Sequence, residues 1–142
     1  MYLETQFDVE QPRDSAVKVV AQDETLLGLF PDAEVEIVES RGNQRTVVTR
    51  FTALGQPGSA TFVFTFENSG DVSFEKQCQG GKVWKELKGA VTLTARGDGT
   101  RVVIAAEGRT KAFVPEFTVR GAMQDQIDQM ATALRKRIRA QA

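Results

Sequence analysis

The first ten residues alternate. Leu3, Thr5, Phe7 and Val9 fall on one side and Tyr2, Glu4, Gln6 and Asp8 on the other, the period-2 pattern of a half-buried strand. Pro12 stops this strand, and Asp14 or Ser15 is placed to cap a short helix whose Ala16, Val19 and Val20 share a face. Asp23 is placed to cap a second short helix carrying Leu26, Leu27 and Phe30, which Pro31 ends. From Ala33 to Lys111 alternating segments predict six strands, separated by Arg41-Gly42-Asn43, Gly55-Gln56-Pro57-Gly58, Asn68-Ser69-Gly70, Gly80-Gly81 and Asp98-Gly99. Such short connections make successive strands antiparallel neighbours, so the six form a meander. Beyond Lys111 the period changes to that of a helix. Val119, Met123, Ile127, Met130, Leu134 and Ile138 make one apolar stripe, predicting an amphipathic helix from about 116 to 140 with Pro115 at its first turn. At about 1.5 Å per residue it runs roughly 35 Å, enough to cross the sheet.

Turn lengths predict registers, because facing residues must also share a face. A loop at Gln56-Pro57 sets Ala53 opposite Ala60, Phe51 opposite Phe62 and Thr49 opposite Phe64. A three-residue loop Asn68-Ser69-Gly70, with Gly70 left-handed, sets Phe66 opposite Val72 and Phe64 opposite Phe74. A type I′ turn at Asp98-Gly99 sets Leu93 opposite Ile104 and Val91 opposite Ala106. The strand before that turn has Val83, Leu87, Val91, Leu93 and Ala95 as its apolar set, which leaves Trp84 outside or at a rim unless a bulge turns it inward.

One strand, two short helices, a six-stranded meander and a long C-terminal helix, with Phe7-x-Val9-x-x-Pro12 running into a helix and Asp23-x-x-x-Leu27-x-x-Phe30-Pro31 preceding a strand, resemble the START-like helix-grip (SRPBCC) superfamily. Size and ending are most similar to its polyketide cyclase/dehydrase group and to its carbon monoxide dehydrogenase-associated group. Phe30 stands where many relatives have tryptophan. The resemblance implies an α+β fold in one domain over 1–142, a curved seven-stranded antiparallel sheet gripping the C-terminal helix, and an apolar ligand held between them.

The residue pattern supplies a wall of that kind: Phe51, Phe62, Phe64, Phe66 and Phe74 on one sheet face, opposed by Met123, Ile127 and Met130 on the helix. The same residues would equally serve as a solid core. Lys76 shares the parity of Phe74 and Cys78 and falls opposite Phe62, so it points inward. With a two-residue Gly80-Gly81 turn it faces Lys85, two like charges that call for an anionic ligand head. With a bulge or a longer register it pairs with Glu86, and near a strand end it can also snorkel outward.

Composition narrows the chemistry. The chain of 142 residues has no histidine, one cysteine and no C-x-x-C, which excludes histidine-based triads, zinc ribbons and dithiol redox chemistry. Glu75 and Glu107 take outward positions with Ser73, Gln77 and Arg109, and Asp125 and Asp128 lie off the helix stripe. The expectation is therefore no catalytic residue, metal or cofactor. Residues 1–40 carry 10 acids against 2 bases and residues 41–142 carry 9 against 16, an asymmetry of two mutually attracting parts of one domain; nucleic acid is not expected as a partner. The absence of a signal segment or membrane span, together with the lone Cys78, points to the cytoplasm. The function expected is binding of a small apolar or amphipathic molecule, a lipid or polyketide, without catalysis. The alternatives are a cyclase- or aromatase-like enzyme and an accessory protein of an enzyme complex, with room for a protein partner or a homodimer.

Overall fold

The computed structural model describes residues 1–53 and 55–141, Ala53 by its backbone alone. The elements follow in the order β1 (Tyr2–Val9), α1 (Arg13–Val20), α2 (Asp23–Leu27), β2 (Glu34–Arg41), β3 (Gln44–Ala53), β4 (Gln56–Phe66), β5 (Val72–Lys76), β6 (Trp84–Arg96), β7 (Gly99–Thr110) and α3 (Phe117–Ala140). The strands form one antiparallel sheet ordered β1-β7-β6-β5-β4-β3-β2. The meander is thus continuous from β2 to β7, and β1 closes onto β7 with Leu3 beside Ala106 and Phe7 beside Val102. The open sheet curves over α3, which packs on β1, β7 and α1. Among the described residues no helix is long and apolar enough to cross a membrane.

The apolar stripe explains why α3 stays in the grip. Ile127, Met130, Leu134 and Ile138 are fully buried, while Val119 and Met123, a few turns earlier, are only half-buried. Each full burial contributes roughly 1.5–3 kcal/mol, so the C-terminal half of the helix is the anchored half. The small helices cover the adjoining end of the sheet through Ala16, Val19, Val20, Leu26 and Phe30; Leu27, expected on the same face, is 45% exposed. Pro12 occupies the position before α1, where its fixed φ suits helix entry, so neither Asp14 nor Ser15 caps it; Asp14 lies in the first turn instead. Asp23 likewise begins α2 rather than capping it, and its carboxylate accepts from Arg45 Nε at 3.1 Å.

The β4–β5 register is the expected one: Phe66 faces Val72, Phe64 faces Phe74 and Phe62 faces Lys76, with Gly70 left-handed at φ 96°. Two other hairpins slide. Ala53 pairs with Gln56, so β3 and β4 turn about Gly55 (φ 75°) and Thr49 faces Ala60, with Phe62 meeting Val47 rather than Phe51. Pro57, expected in the loop, is within β4 on the stretch that β5 does not flank, where a missing N–H costs no ladder bond on that side. Arg96 pairs with Gly99, so β6 and β7 turn at Gly97 (φ 57°) and Leu93 faces Val102. Both slides are even-numbered, which is why the inward set survives them. Only the end of β6 departs: Ala95 is exposed.

Candidate functional site

At the end of the grip where α3 is least buried, a cavity of about 480 Å³ opens between helix and sheet. Phe30 and Ala33 before β2, Phe51 on β3, Phe62 on β4, Trp84 and Leu87 on β6, and Val119 and Met123 on α3 form its apolar wall. Phe62 stacks on Phe30 with centroids 5.5 Å apart and planes 21° from parallel. From Phe62 the aromatic row continues to Phe64 at 6.3 Å and on to Phe74 at a further 5.5 Å. The row therefore begins as a cavity wall and ends as solid core.

This division sorts the residues expected at a ligand wall. Phe51, Phe62, Lys76 and Met123 line the cavity. Phe64, Phe74, Ile127 and Met130 are buried in the packed cluster behind it. Phe66, at the opposite end of β4, lies under the Arg45 guanidinium at 5.8 Å from its centroid. Trp84 is brought in by a bulge between Trp84 and Glu86, where β6 shifts register against β7. That bulge reverses the parity of the residues before it, so periodicity alone would leave Trp84 outside. Phe30, Ala33 and Val119 come from the connection before β2 and the first turns of α3, and no strand register could have placed them. Phe30 did carry a signal, in the opening pattern that ends at Pro31.

Lys76 ends β5. The β5–β6 ladder stops one residue earlier, at Glu75 facing Lys88, and the two strands then part. The expected confrontation with Lys85 does not form, because Lys85 is exposed on the outer face. Nor does Lys76 pair with Glu86, whose carboxylate accepts from Arg109 Nε at 3.1 Å and Nη2 at 2.9 Å. Those bonds, chiefly, hold the Glu86 carboxyl below its ordinary range. Cys78, expected to continue the inner row, follows the end of β5 and lines a depression on the outer face instead, its Sγ donating to the Lys76 carbonyl at 3.5 Å. Lys76 reaches both this depression and the cavity. Its side chain is half-buried, and that burial pulls the amine below the ordinary lysine value, with the Cys78 sulfur opposing in part. Among the described residues no carboxylate lies within 4 Å of it.

The remaining polar lining is sparse. Asp32 is exposed at the mouth; Thr49 Oγ1 already donates to the Ala60 carbonyl at 3.3 Å; Thr52, Gln126 and Gln129 complete the set. Among the described residues no cluster of three metal-ligating side chains occurs. A second, shallower groove of about 790 Å³ runs outside the grip between α2 and α3, edged by charges of both signs in Glu24, Asp125, Asp128 and Lys136. It touches neither the sheet nor the aromatic row.

No family model matches the sequence. No curated protein matches it in sequence either. In three dimensions the chain is similar to a START superfamily protein from Mycobacterium smegmatis, with a TM-score of 0.75, 15% identity and 99% of each chain covered. It is similar to the Zhui aromatase/cyclase from Streptomyces sp. R1128, with a TM-score of 0.74 and 15% identity over 97% of this chain and 90% of that one. It is also similar to a STAR-related lipid transfer protein from Xanthomonas axonopodis, with a TM-score of 0.67 and 18% identity over 97% of this chain and 85% of that one. At such identities the likeness is one of fold: the chain has the START-like helix-grip architecture.

Proposed function

We propose that the protein binds a small apolar or amphipathic molecule in the cavity between the curved sheet and the N-terminal half of α3, and that it does so without covalent chemistry. The observation that carries this reading is the cavity itself. Its volume of about 480 Å³ lies within the roughly 300–1,000 Å³ usual for small-molecule sites, and aromatic and aliphatic groups dominate its wall. The half-buried Met123 adds an adaptable surface on the helix side. Fold neighbours that include a lipid transfer protein and an aromatase/cyclase support an apolar cargo.

Binding is favoured over a cyclase-like reaction because the titratable lining comes down to Lys76 and Asp32, and Asp32 faces solvent at the mouth. Proton transfer within the cavity would fall to one amine, with no second group facing it. The free thiol of Cys78 suits a cytoplasmic protein. The test uses the neutral fluorophore N-phenyl-1-naphthylamine, with energy transfer from Trp84, the only tryptophan and part of the cavity wall. Saturable one-to-one binding is expected, and Met123→Trp, which fills the space beside the helix, should abolish it while the protein stays folded. Binding that does not saturate, or that is indifferent to Met123→Trp, overturns the reading. A stoichiometric protein partner in native mass spectrometry of the protein from its own host, with no small molecule, would favour an accessory role instead.

A further inference from the structure

The placement of Lys76 says more about the ligand than that it is apolar. The aromatic floor of the cavity has a direction. It starts at Phe30, passes to Phe62 by stacking at 5.5 Å, and meets Lys76 directly across the β4–β5 ladder from Phe62. A single cation thus terminates an otherwise apolar surface. Nothing in the protein neutralises it. Glu86 is held by Arg109 and bridged by Lys88 at 3.8 Å, and Asp32 and Glu75 make no ion pair with the amine. On the outer side the same lysine borders Lys85 and Lys111, whose like charge gives its ammonium no reason to leave the cavity.

Leaving a half-buried cation without a partner costs stability, and a bound anion removes that cost. We infer that the cavity takes an amphipathic acid, its single carboxylate seated on Lys76 and its apolar tail lying along Phe62 and Phe30 toward Met123. This rests on the binding reading above and names its substrate class. The charge count sets the head: one wall cation matches one negative charge, whereas a dianionic phosphate would bring a second charge with no partner into an apolar site. Thr49, Gln126 and Gln129 offer only neutral hydrogen-bonding groups. Burial of the amine, which disfavours its charge in the empty site, is relieved in the same step.

The test displaces N-phenyl-1-naphthylamine with decanoic acid and with decanamide, which share a tail and differ in head charge. In the wild-type protein the acid should compete at least roughly tenfold better, the ratio that about 1.4 kcal/mol of charge-assisted bonding supplies. Lys76→Met should bring the ratio to near one while keeping or improving displacement by the amide, and Lys76→Arg should restore a preference for the acid. Thermal melts establish that each variant is folded, and the arginine variant keeps the test alive if the methionine one is not. Equal acid-to-amide ratios in wild type and Lys76→Met would remove the anchor and leave the cavity standing. Failure of the fluorophore and both competitors to bind the wild type would remove both.

Discussion

The indole of Trp84 rests on the bare backbone of Gly108: a Cβ at that glycine would stand 2.8 Å from Trp84 Cζ3 and 2.9 Å from the Glu86 carbonyl oxygen. Side chain and main chain crowd the position together, so neither can yield alone. Because Trp84 is both buried and part of the cavity wall, Gly108→Ala must push the ring toward the cavity or pry β6 from β7 at its bulge. We expect a loss of about 1–3 kcal/mol in denaturant unfolding, a shifted Trp84 emission maximum, and weaker fluorophore binding. Gly121 serves as the control. It lies within α3 with nothing within 4 Å of a built Cβ, so Gly121→Ala should stabilise by up to about 1 kcal/mol. Wild-type unfolding and emission in Gly108→Ala would refute the packing.

Two surface ion pairs set the acid limb of stability. Asp8 accepts from Arg101 Nε at 2.9 Å and Nη2 at 3.2 Å, joining β1 to β7. Those bonds are the main cause that lowers its carboxyl from 3.8, as Arg109 lowers Glu86 from 4.5. A carboxyl whose folded value is depressed stabilises the fold above its unfolded value, and that stability is lost as pH falls through the depressed one. The window therefore begins near pH 4 and extends below it. Both pairs are solvent-screened, so the effect is small. Melting temperatures of wild type and Asp8→Asn should differ at pH 7 and converge as pH is lowered toward 2; a gap independent of pH would count against the pair.

Much of the scaffold was legible because the signals that specify it are local. The alternation of Leu3, Thr5, Phe7 and Val9, the 3.6-residue stripe from Val119 to Ile138, and glycines at positive φ each depend on a few neighbouring residues. Register was less legible. Gly55-Gln56-Pro57-Gly58 and Gly97-Asp98-Gly99 each contain more than one residue suited to a turn, and the choice moved the β3–β4 and β6–β7 pairings without changing which residues face inward. The site was read only in part. Phe62 and Phe64 have the same parity and chemistry, yet one lines a void and the other is sealed, because the separation of α3 from the sheet grows along the helix. That distance depends on side chains from every element at once. Trp84 needed a bulge and Lys76 needed the early end of the β5–β6 ladder, and both arise where two strands stop matching in length.

The contrast between a sealed and a lining residue is itself testable. Phe64 is 1% exposed between Phe62 and Phe74, so Phe64→Ala opens a hole in dense packing and should cost about 3–5 kcal/mol. Met123 is half-buried against empty space. Met123→Ala removes fewer packed contacts and enlarges a space that already exists, so its stability cost should fall below about 2 kcal/mol, the lower bound for a fully buried methionine. Affinity should move the other way. Met123→Ala deletes part of the helix-side wall and should weaken binding of the fluorophore several-fold. Phe64→Ala, measured well below its melting temperature, should change affinity less, since its ring does not reach the cavity surface. Paired denaturation and titration of the two variants read both quantities. If Phe64→Ala impaired binding more than Met123→Ala at equal fractions folded, the boundary between wall and core would lie deeper in the sheet than Phe62.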